Sequence, residues 1–377
     1  MIYLDHTATR LIDPEIIAVY AKLLAEANFN PAARYAPALE VKDKIKEAKK
    51  RLQEALGARS FEPLVSSGAT ESINLALLGL ADAYPQRAKR ILTTDLEHSA
   101  TRSALEKLAG RGYDIVTIPC RDGFIDLSAL DEALLEPALA LTLIHVQNEI
   151  GTVVNLEDAV ALARARQKQI LIHLDAVQAV TKIPFRADGL GVDLISLSGH
   201  KFGAPKGIGF LLVAPKVKLV AQIVGGGQQS GLRSGTENYP LLETSVQALE
   251  RALTDLDQKS HFVLELREAL VHALHDAGLD FHVLSGARQI PQILALEIPA
   301  LRGETIMHAL SELGICVSIG SACSSHKGSH DSLYRLYGLS RERARHVIRI
   351  SINESNTMSE MEYLVQSLVK VVNMYKI

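Results

Sequence analysis

The run Leu139-Ala-Leu-Thr-Leu-Ile-His-Val146 is apolar almost throughout and has the length of one buried β-strand. Similar runs recur between about residues 60 and 215, separated by amphipathic stretches of helical period. We predict strands at 90–94, 114–118, 139–146, 170–175, 194–197 and 209–213, and helices at 72–84, 99–111, 127–135 and 156–167. This alternation is typical of an α/β domain with a mostly parallel sheet, because helices on both faces bury the strands completely.

The pattern changes after Asn238, where a long helical pattern begins and continues past residue 270. A smaller α+β unit is predicted beyond it, with strands near residues 282, 294 and 347 and helices at 304–313 and from 359. We place the domain boundary at residues 257–260. The predicted large domain is therefore 14–257, and the predicted small domain is 1–13 with 258–377, which carries the loop around Cys323.

The composition is that of an ordinary folded protein. Of 377 residues, 47% are hydrophobic, and 40 Lys and Arg against 43 Asp and Glu give a net charge of -3. This balance argues against global disorder and against direct binding of nucleic acid, since the most basic stretch, 42–51, fits the exposed face of a helix. No segment has the pattern of a signal peptide or a membrane span, so we expect a cytoplasmic protein and no membrane partner.

Three cysteines occur, and none forms a CxxC pair, which fits a reducing compartment. Cys120 follows a predicted strand and Cys316 lies in an apolar run, so both are expected to be inert core thiols. Cys323 lies in a stretch rich in Gly and Ser, which predicts a loop. Its spacing to His326 and His330 is also compatible with a metal site, but no fourth ligand is evident and we predict no metal.

One predicted strand ends in a group of reactive side chains. The stretch Asp193-Leu-Ile-Ser-Leu-Ser-Gly-His-Lys201 is an apolar strand that ends in Ser198, His200 and Lys201. Ligands of α/β sheets bind beyond the carboxyl ends of the strands. Lys201 is therefore well placed to form a Schiff base, a reaction that needs the neutral amine favoured by a crowded, partly desolvated site.

A second strand, 170–175, ends in Asp175, and Gln178 follows three residues later. A carboxylate at this edge can bind a ligand, or it can cap the start of a helix. A third stretch, SGATES at 67–72, joins an apolar segment to a helix. Its small residues predict an anion site at the helix N-terminus, although a capping box with Thr70 or Ser67 as the cap fits as well.

Together, these stretches and several others resemble the motif series of the cysteine desulfurases, which belong to the class V aminotransferase group of pyridoxal-phosphate enzymes. The resemblance extends from residue 3 to about residue 352. It rests on motifs that occur in the family's order, namely SGATES at 67–72, EH at 97–98, NEIG at 148–151, HLDAVQ at 173–178, SLSGHKFGAPKGIG at 196–209, GGGQQSGLRSGTEN at 225–238 and IGSACSS at 319–325.

The resemblance implies a type I pyridoxal-phosphate fold and a set of roles. Lys201 would carry pyridoxal 5'-phosphate and move the Cα proton, and His98 would stack on the ring and assist proton transfer. Asp175 would pair with the ring nitrogen and Gln178 with the ring hydroxyl oxygen. The phosphate would be held by Ala69, Thr70, Ser198, His200 and, from the neighbouring subunit of a homodimer, Thr236.

The substrate roles also come from the resemblance. Asn148 and Arg349 would orient the substrate, with Arg349 gripping its carboxylate, whereas without the family Arg349 would be interpreted as a surface or ion-paired arginine. Cys323 would accept sulfur from L-cysteine as a persulfide and leave L-alanine. A sulfur-acceptor protein for iron–sulfur cluster assembly or tRNA thiolation would then unload it.

Two alternatives remain open from the sequence. One is a related transaminase or a C–S or C–Se lyase, and the other is a non-catalytic sulfur-relay scaffold. The chain also departs from the family's usual residues at several positions without a direct catalytic role, which leaves substrate preference and partner choice open. These positions are His6, Arg10, Gln147, Gln229 and Ser230.

Overall fold

The computed structural model describes residues 1–286, 288–319 and 337–375. Fifteen strands lie within these ranges: β1 Ile2–Tyr3, β2 Glu62–Ser66, β3 Arg90–Thr94, β4 Asp114–Ile118, β5 Cys120–Arg121, β6 Phe124–Ile125, β7 Ala140–Ile144, β8 Leu171–Asp175, β9 Leu194–Ser198, β10 Gly209–Val213, β11 His282–Leu284, β12 Ile293–Glu297, β13 Ile315–Cys316, β14 Ser318–Ile319 and β15 Val347–Ser351.

The α-helices of the same ranges are α1 Pro14–Glu26, α2 Ala36–Ala55, α3 Ala69–Ala83, α4 Ser99–Ala109, α5 Leu127–Ala133, α6 Leu156–Arg166, α7 Tyr239–Leu253, α8 Leu256–Asp276, α9 Gly303–Glu312, α10 Arg341–Ala344 and α11 Met358–Tyr375. None of them is long and apolar enough to cross a membrane.

The largest sheet has the strand order β2-β10-β9-β8-β7-β3-β4. The strands from β9 to β4 are parallel to one another, whereas β10 runs antiparallel to both of its neighbours. Every residue of β7, β8, β9 and β10 is buried, which explains why their sequences are apolar runs without alternation. The mostly parallel α/β sheet predicted from the sequence is thus confirmed, but the reversed direction of β10 was not predicted.

The reversal of β10 brings three chain segments to one edge of the sheet. Gly209 begins β10 and pairs with Ser66 at the end of β2 and with Ser198 at the end of β9. A Cβ atom on Gly209 would lie 2.5 Å from the carbonyl carbon of Gly68 and 2.7 Å from the oxygen of Leu197. Only glycine allows this close approach of the backbone segments.

The long helical pattern from Asn238 is divided into two helices. Helix α7 ends before Thr254, and α8 begins after Asp255, whose φ of 53° is left-handed. Both helices keep apolar residues at helical spacing, so periodicity alone did not reveal the break. The predicted boundary at 257–260 therefore lies inside α8, and the predicted domain limits stay predictions.

A second sheet, in the order β11-β12-β15-β14, is antiparallel. Its strands pack with α8, α9 and α11 around a core separate from that of the large sheet, and the core includes Leu4, Leu266, Leu294, Ile350 and Leu368. Leu4 joins this core from the N-terminus because β1 pairs with β13. Complete burial of each such leucine contributes roughly 1.5–3 kcal/mol.

Candidate active site

A cavity of about 520 Å³ opens where β7, β8 and β9 end. Of the predicted site residues that the structure describes, it brings together all but Thr236, namely Ala69, Thr70, His98, Asn148, Asp175, Gln178, Ser198, His200, Lys201 and Arg349. Those that follow strands of the large sheet meet because parallel strands deliver their carboxyl ends to the same edge. The volume is in the range of sites that bind small cofactors.

Lys201 ends a short 3-10 turn, Gly199–Lys201, that follows β9 directly. Its Nζ donates hydrogen bonds to the carbonyl oxygens of Thr7 at 2.9 Å and Ala8 at 2.8 Å. The N-terminal segment therefore forms a wall of the cavity and orients the lysine. No local sequence pattern indicates this contact, because the partners are separated by 194 and 193 residues.

Asp175 is the last residue of β8 and is buried. Its carboxylate accepts a hydrogen bond from the N–H of Val177 at 3.0 Å. No helix follows it directly, so its interpretation as a helix cap is wrong. Burial raises the pKa of Asp175 to about 6, and the positive charge of Lys201 acts in the opposite direction. Because burial disfavours the charged form, the ionised carboxylate of Asp175 would be stabilised by a cationic partner.

Gln178 lies on the cavity wall beside Asp175. Its Nε2 donates to the carbonyl oxygen of Thr7 at 3.1 Å, and its Oε1 accepts from Nζ of Lys182. Both ends of the amide are therefore engaged in hydrogen bonds, so the orientation of the side chain is defined.

The N-terminus of α3 faces the same cavity through Gly68, Ala69 and Thr70. Gly68 is the N-cap residue, and no side chain in the described part of the chain caps this helix. The prediction of Thr70 or Ser67 as the cap is therefore wrong, although the Ser67 N–H does donate to the carboxylate of Glu71 at 2.8 Å. The first N–H groups of the helix are left to bind an anion.

The charges at this edge also favour an anion. Lys201, Lys206 and Arg349 line the cavity, and His200 lies among them. Burial lowers the pKa of His200 to about 4, and the nearby Lys201 and Lys206 lower it further. The imidazole is therefore neutral at pH 7, and its Nδ1 lies 3.2 Å from the hydroxyl oxygen of Thr9.

His98 combines a structural and a chemical position. It is the N-cap residue of α4, and its Nδ1 accepts a hydrogen bond from the N–H of Ala100 at 3.1 Å. Burial lowers its pKa to about 4, and the charges of Lys201 and Arg102 add to this effect. The neutral ring then carries its proton on Nε2, with its ring orientation held by the cap.

Glu97 is a buried residue beside the site that the sequence reasoning assigned no role. Its Oε1 accepts hydrogen bonds from the Thr94 hydroxyl and the Ile144 N–H, both at 2.8 Å. Burial raises its pKa to about 8, and the negative charge of Asp175 also raises it. The sequence shows only that Glu97 directly precedes His98 in the EH motif. Its burial is visible only in the tertiary structure.

Arg349 is buried on β15 and reaches the cavity from the second sheet. Its Nη2 donates to the carboxylate of Asp5 at 2.8 Å, and its Nη1 donates to the carbonyl oxygen of Asn148 at 3.1 Å. Its Nε has no hydrogen-bond partner among the described residues. The sequence reasoning missed Asp5, which lies 344 positions away in the chain.

Thr236 is not among the residues that line the cavity. It is exposed in the segment that precedes α7, whereas Cys323, His326 and His330 lie outside the described residues. The segment before Thr236 is tethered to α3, because Arg233 pairs with Glu71 through contacts of 2.8 and 3.3 Å. Thr236 therefore follows directly on a segment fixed to the helix whose N-terminus faces the cavity.

The two other cysteines differ from each other. Cys120 is buried, and burial followed by the charge of Asp95 raises the pKa of its thiol far above the usual range, as expected of an inert core thiol. Cys316 is only half-buried in the short strand β13, so its assignment to the core was wrong. An apolar sequence run does not bury every residue of a two-residue strand at the margin of a sheet.

The side chains of the cavity fit pyridoxal phosphate. The uncapped α3 N-terminus and the cations can bind a phosphate. The buried Asp175 can pair with a protonated ring nitrogen, and the amine of Lys201 can react with an aldehyde carbon. These groups come from several elements, among them the N-terminus of α3, the end of β8 and the turn after β9. The cavity can therefore bind the ring, the phosphate and a small amino acid together.

Comparison with known proteins gives concordant results. The sequence model of the family described as Aminotransferase class-V matches residues 2–364 of this chain. The chain is similar to cysteine desulfurase IscS from Dictyoglomus turgidum, with 32% identity over 374 residues that cover 98% of this chain and 94% of that protein. It is also similar to cysteine desulfurase IscS from Anaeromyxobacter sp., with 34% identity over 377 residues covering 98% and 92% of the two chains.

A solved structure of a NifS-like protein has the same fold. It is similar to this chain with a TM-score of 0.93 and 30% sequence identity, and the similarity covers 99% of each chain. The similarity therefore includes both sheets, the N-terminal segment and the cavity between them.

Proposed function

This chain belongs to the aminotransferase class-V family and has the type I fold of pyridoxal-phosphate enzymes, and from that premise we propose that it is a cysteine desulfurase. The enzyme converts L-cysteine to L-alanine and takes up the sulfur on Cys323 as a persulfide. The observation that carries the proposal is the cavity that gathers Lys201, Asp175, His98 and Arg349 at the end of the sheet.

Residues from several elements would hold the cofactor. Ala69 and Thr70 would offer N–H groups of the α3 N-terminus to the phosphate, and Ser198 and His200 would bind its other oxygens. Asp175 would pair with the ring nitrogen, and Gln178 would donate its amide to the ring oxygen. When bound, pyridoxal phosphate supplies an electron sink for negative charge at the substrate Cα.

The substrate carboxylate is bound by Arg349, whose backbone contact to Asn148 and ion pair with Asp5 hold the guanidinium in place. A guanidinium that is already oriented loses little conformational entropy when it binds a carboxylate. Asn148 lines the same part of the cavity and orients the amino acid. These contacts would hold the substrate Cα within reach of the lysine.

Proton transfer is assigned to Lys201 and His98. Nζ of Lys201 takes the proton from the substrate Cα, and the Thr7 and Ala8 carbonyls keep this amine directed into the cavity. His98 is neutral, so its Nε2–H would assist the transfer as a hydrogen-bond donor to the substrate. The ring of His98 would also cover one face of the cofactor.

The sulfur step is assigned to Cys323. Its thiolate attacks the sulfur of cysteine, the Cβ–S bond breaks, and protonation leaves L-alanine and the Cys323 persulfide. We place the enzyme in the cytoplasm as a homodimer in which Thr236 completes the phosphate site of the neighbouring subunit. A sulfur-acceptor protein of iron–sulfur cluster assembly or tRNA thiolation then removes the persulfide.

The test combines cofactor, product and sulfur in one preparation. The parent protein is expected to bind pyridoxal phosphate with a visible absorption band, to release alanine from L-cysteine and to label Cys323 with persulfide. Cys323→Ser is expected to keep the band and to lose persulfide and alanine formation by at least about 100-fold, since the nucleophile is gone. Lys201→Ala is the matched control that loses the band.

Two outcomes contradict the proposal. Alanine formation at the parent rate in Cys323→Ser removes the role of this cysteine. Pyruvate and ammonia as the products of the parent protein indicate a C–S lyase, because elimination rather than sulfur transfer yields them.

A further inference from the structure

Lys182 is a buried lysine immediately behind the active-site wall. It is 9% exposed. It lies four residues after Gln178, in a segment of turns. Its Nζ donates a hydrogen bond to Oε1 of Gln178. A buried lysine is costly, so its polar contacts must be specific.

Gln178 is held at both ends of its amide. The carbonyl oxygen of Thr7 can only accept, and it therefore requires Nε2 of Gln178, which donates to it at 3.1 Å. Lys182 supplies the complementary donor to Oε1. If this donor were removed, Oε1 would be a buried acceptor without a partner, and the amide would reorient to find one.

We propose that Lys182 is a positioning residue that, together with the Thr7 carbonyl, clamps the Gln178 amide so that its Nε2 is presented to the active-site cavity. The inference rests on the proposed function, because it concerns the amide assigned to the cofactor's ring oxygen. Lys182 itself touches neither the cofactor nor the substrate. It acts only through Gln178.

The surroundings of Lys182 support a fixed position. A small cavity of about 30 Å³ is lined by Lys182, Thr7 and Gln292, and it also borders Lys201. The hydroxyl of Thr7 and Oε1 of Gln292 have no hydrogen-bond partner among the described residues. The cavity is large enough for a water molecule that joins these atoms to a second N–H of Lys182. Its other ionisable lining residues are His6, Arg10, Lys259 and Glu354.

Replacement of Lys182 by methionine tests this contact directly. Burial lowers the pKa of Lys182 well below the usual lysine value, and repulsion from Lys201, Arg10 and Arg349 lowers it further. Lys182→Met removes the donor to Oε1 of Gln178 and keeps an unbranched side chain in the buried position. Any direct effect of the amine on the cofactor would persist in the Gln178→Leu background, whereas the effect of this hydrogen bond would not.

The experiment measures the visible absorption of the bound cofactor in the holoenzyme as a function of pH. Loss of a donor to the ring oxygen raises the pH at which the Schiff-base nitrogen loses its proton. We expect Lys182→Met to raise this midpoint by about one pH unit, the size expected for one hydrogen bond to a charged oxygen. Gln178→Leu is expected to raise it similarly, and the double variant no further.

Matched variants separate positioning from a general structural effect. Lys259→Met alters another lysine of the same small cavity, which donates to the Arg251 carbonyl oxygen at 2.7 Å, and is expected to titrate as the parent. Lys182→Leu is the second variant without the donor, for use if Lys182→Met does not fold by circular dichroism.

The inference is overturned if a folded, cofactor-loaded Lys182→Met titrates as the parent, or if it shifts the midpoint again in the Gln178→Leu background. A parent protein that binds the cofactor and forms alanine in the same experiment shows that only the inference has failed. A parent that binds no pyridoxal phosphate overturns the proposed function and this inference with it.

Discussion

Burial sets the protonation of the side chains around the active-site cavity. It raises the pKa of Glu97 to about 8 and of Asp175 to about 6, and it lowers the pKa of His98 to about 4. The negative charge of Asp175 also raises the pKa of Glu97, because like charges repel. With Asp175 assigned to a cationic ring nitrogen, the proton of Glu97 keeps a second negative charge out of the site.

Glu97→Gln provides a test of this protonation. Between about pH 4.5 and 8 the folded protein keeps the Glu97 proton while the unfolded chain has lost it. The contribution of Glu97 to the unfolding free energy of the parent therefore falls as pH rises through this range, whereas glutamine does not titrate. We expect the difference in unfolding free energy, variant minus parent, to increase by roughly 2–4 kcal/mol between pH 5 and 8.

Urea unfolding at several pH values measures this difference. Glutamine can accept the same two hydrogen bonds from Thr94 and Ile144, so a steric effect is small. Parallel pH profiles of the two proteins would show that Glu97 is ionised in the folded state.

At the scale of secondary-structure elements, the site depends on how closely strand β10 approaches the loop before α3. Gly209 contacts the Gly68 backbone, and Gly68 is the N-cap residue of the helix assigned to the phosphate. Two hydrogen bonds from Gln229 also hold this region. Its Oε1 accepts from the N–H of Val65 on the edge strand β2 at 2.6 Å, and its Nε2 donates to the Val65 carbonyl oxygen at 2.7 Å. The result is an N-terminus of α3 that is fixed without a capping side chain.

Gly209→Ala is expected to disturb this approach. The added Cβ would lie 2.5 Å from backbone carbon, which no side-chain rotation can relieve. We expect a loss of unfolding free energy of about 2–3 kcal/mol and at least tenfold weaker binding of pyridoxal phosphate, because the N–H groups of α3 are displaced. Urea unfolding and a fluorescence titration with the cofactor measure the two effects.

Gly110→Ala is the matched control. Gly110 has helical backbone angles, and its nearest neighbour would be 3.5 Å from a Cβ. Its substitution should change the unfolding free energy by less than about 1 kcal/mol. Equal effects of the two substitutions would mean that the backbone of Gly68 does not exclude a Cβ atom at position 209.

Across the whole molecule, a set of buried neutral histidines couples stability to pH. Burial lowers their pKa values to about 3 for His173 and to about 4 for His6, His98, His145 and His200. Below about pH 6.5 the unfolded chain takes up protons at these residues, whereas the folded protein does not. The contribution of these histidines to the unfolding free energy therefore falls as pH decreases from about 6.5 towards 4.

His173→Asn is expected to reduce this dependence. His173 is fully buried between the hydroxyls of Thr142 and Ser196, at 2.8 and 2.9 Å. The slope of the unfolding free energy against pH should decrease by up to about 1.4 kcal/mol per pH unit, the value for one proton, irrespective of any constant loss of stability. Urea unfolding between pH 4.5 and 7 measures the slope.

The exposed His272 provides the comparison, since its side chain is 78% exposed. His272→Asn should leave the slope unchanged. An unchanged slope in His173→Asn would contradict the assignment of a neutral, buried His173.

Much of the fold could be predicted because local sequence carries it. The predicted strands 90–94, 114–118 and 209–213 have the bounds of β3, β4 and β10. A buried strand must be apolar along its length and must end where polar or small residues begin, so its limits are visible in the sequence. Lys201 and Asp175 were predicted to meet for the same reason, since each follows or ends a parallel strand.

Contacts between distant segments could not be predicted in this way. The Thr7 carbonyl beside Lys201, the pairing of Asp5 with Arg349 and the burial of Glu97 have no local pattern. The break at Asp255 was missed because the helices on both sides have the same apolar period. The motifs of this chain thus specify an α/β sheet with a lysine and an aspartate at one edge, since strand length and hydrophobicity are local properties. The three-dimensional packing alone decides how that edge is closed and protonated, because burial, desolvation and hydrogen bonds depend on segments that lie hundreds of residues apart.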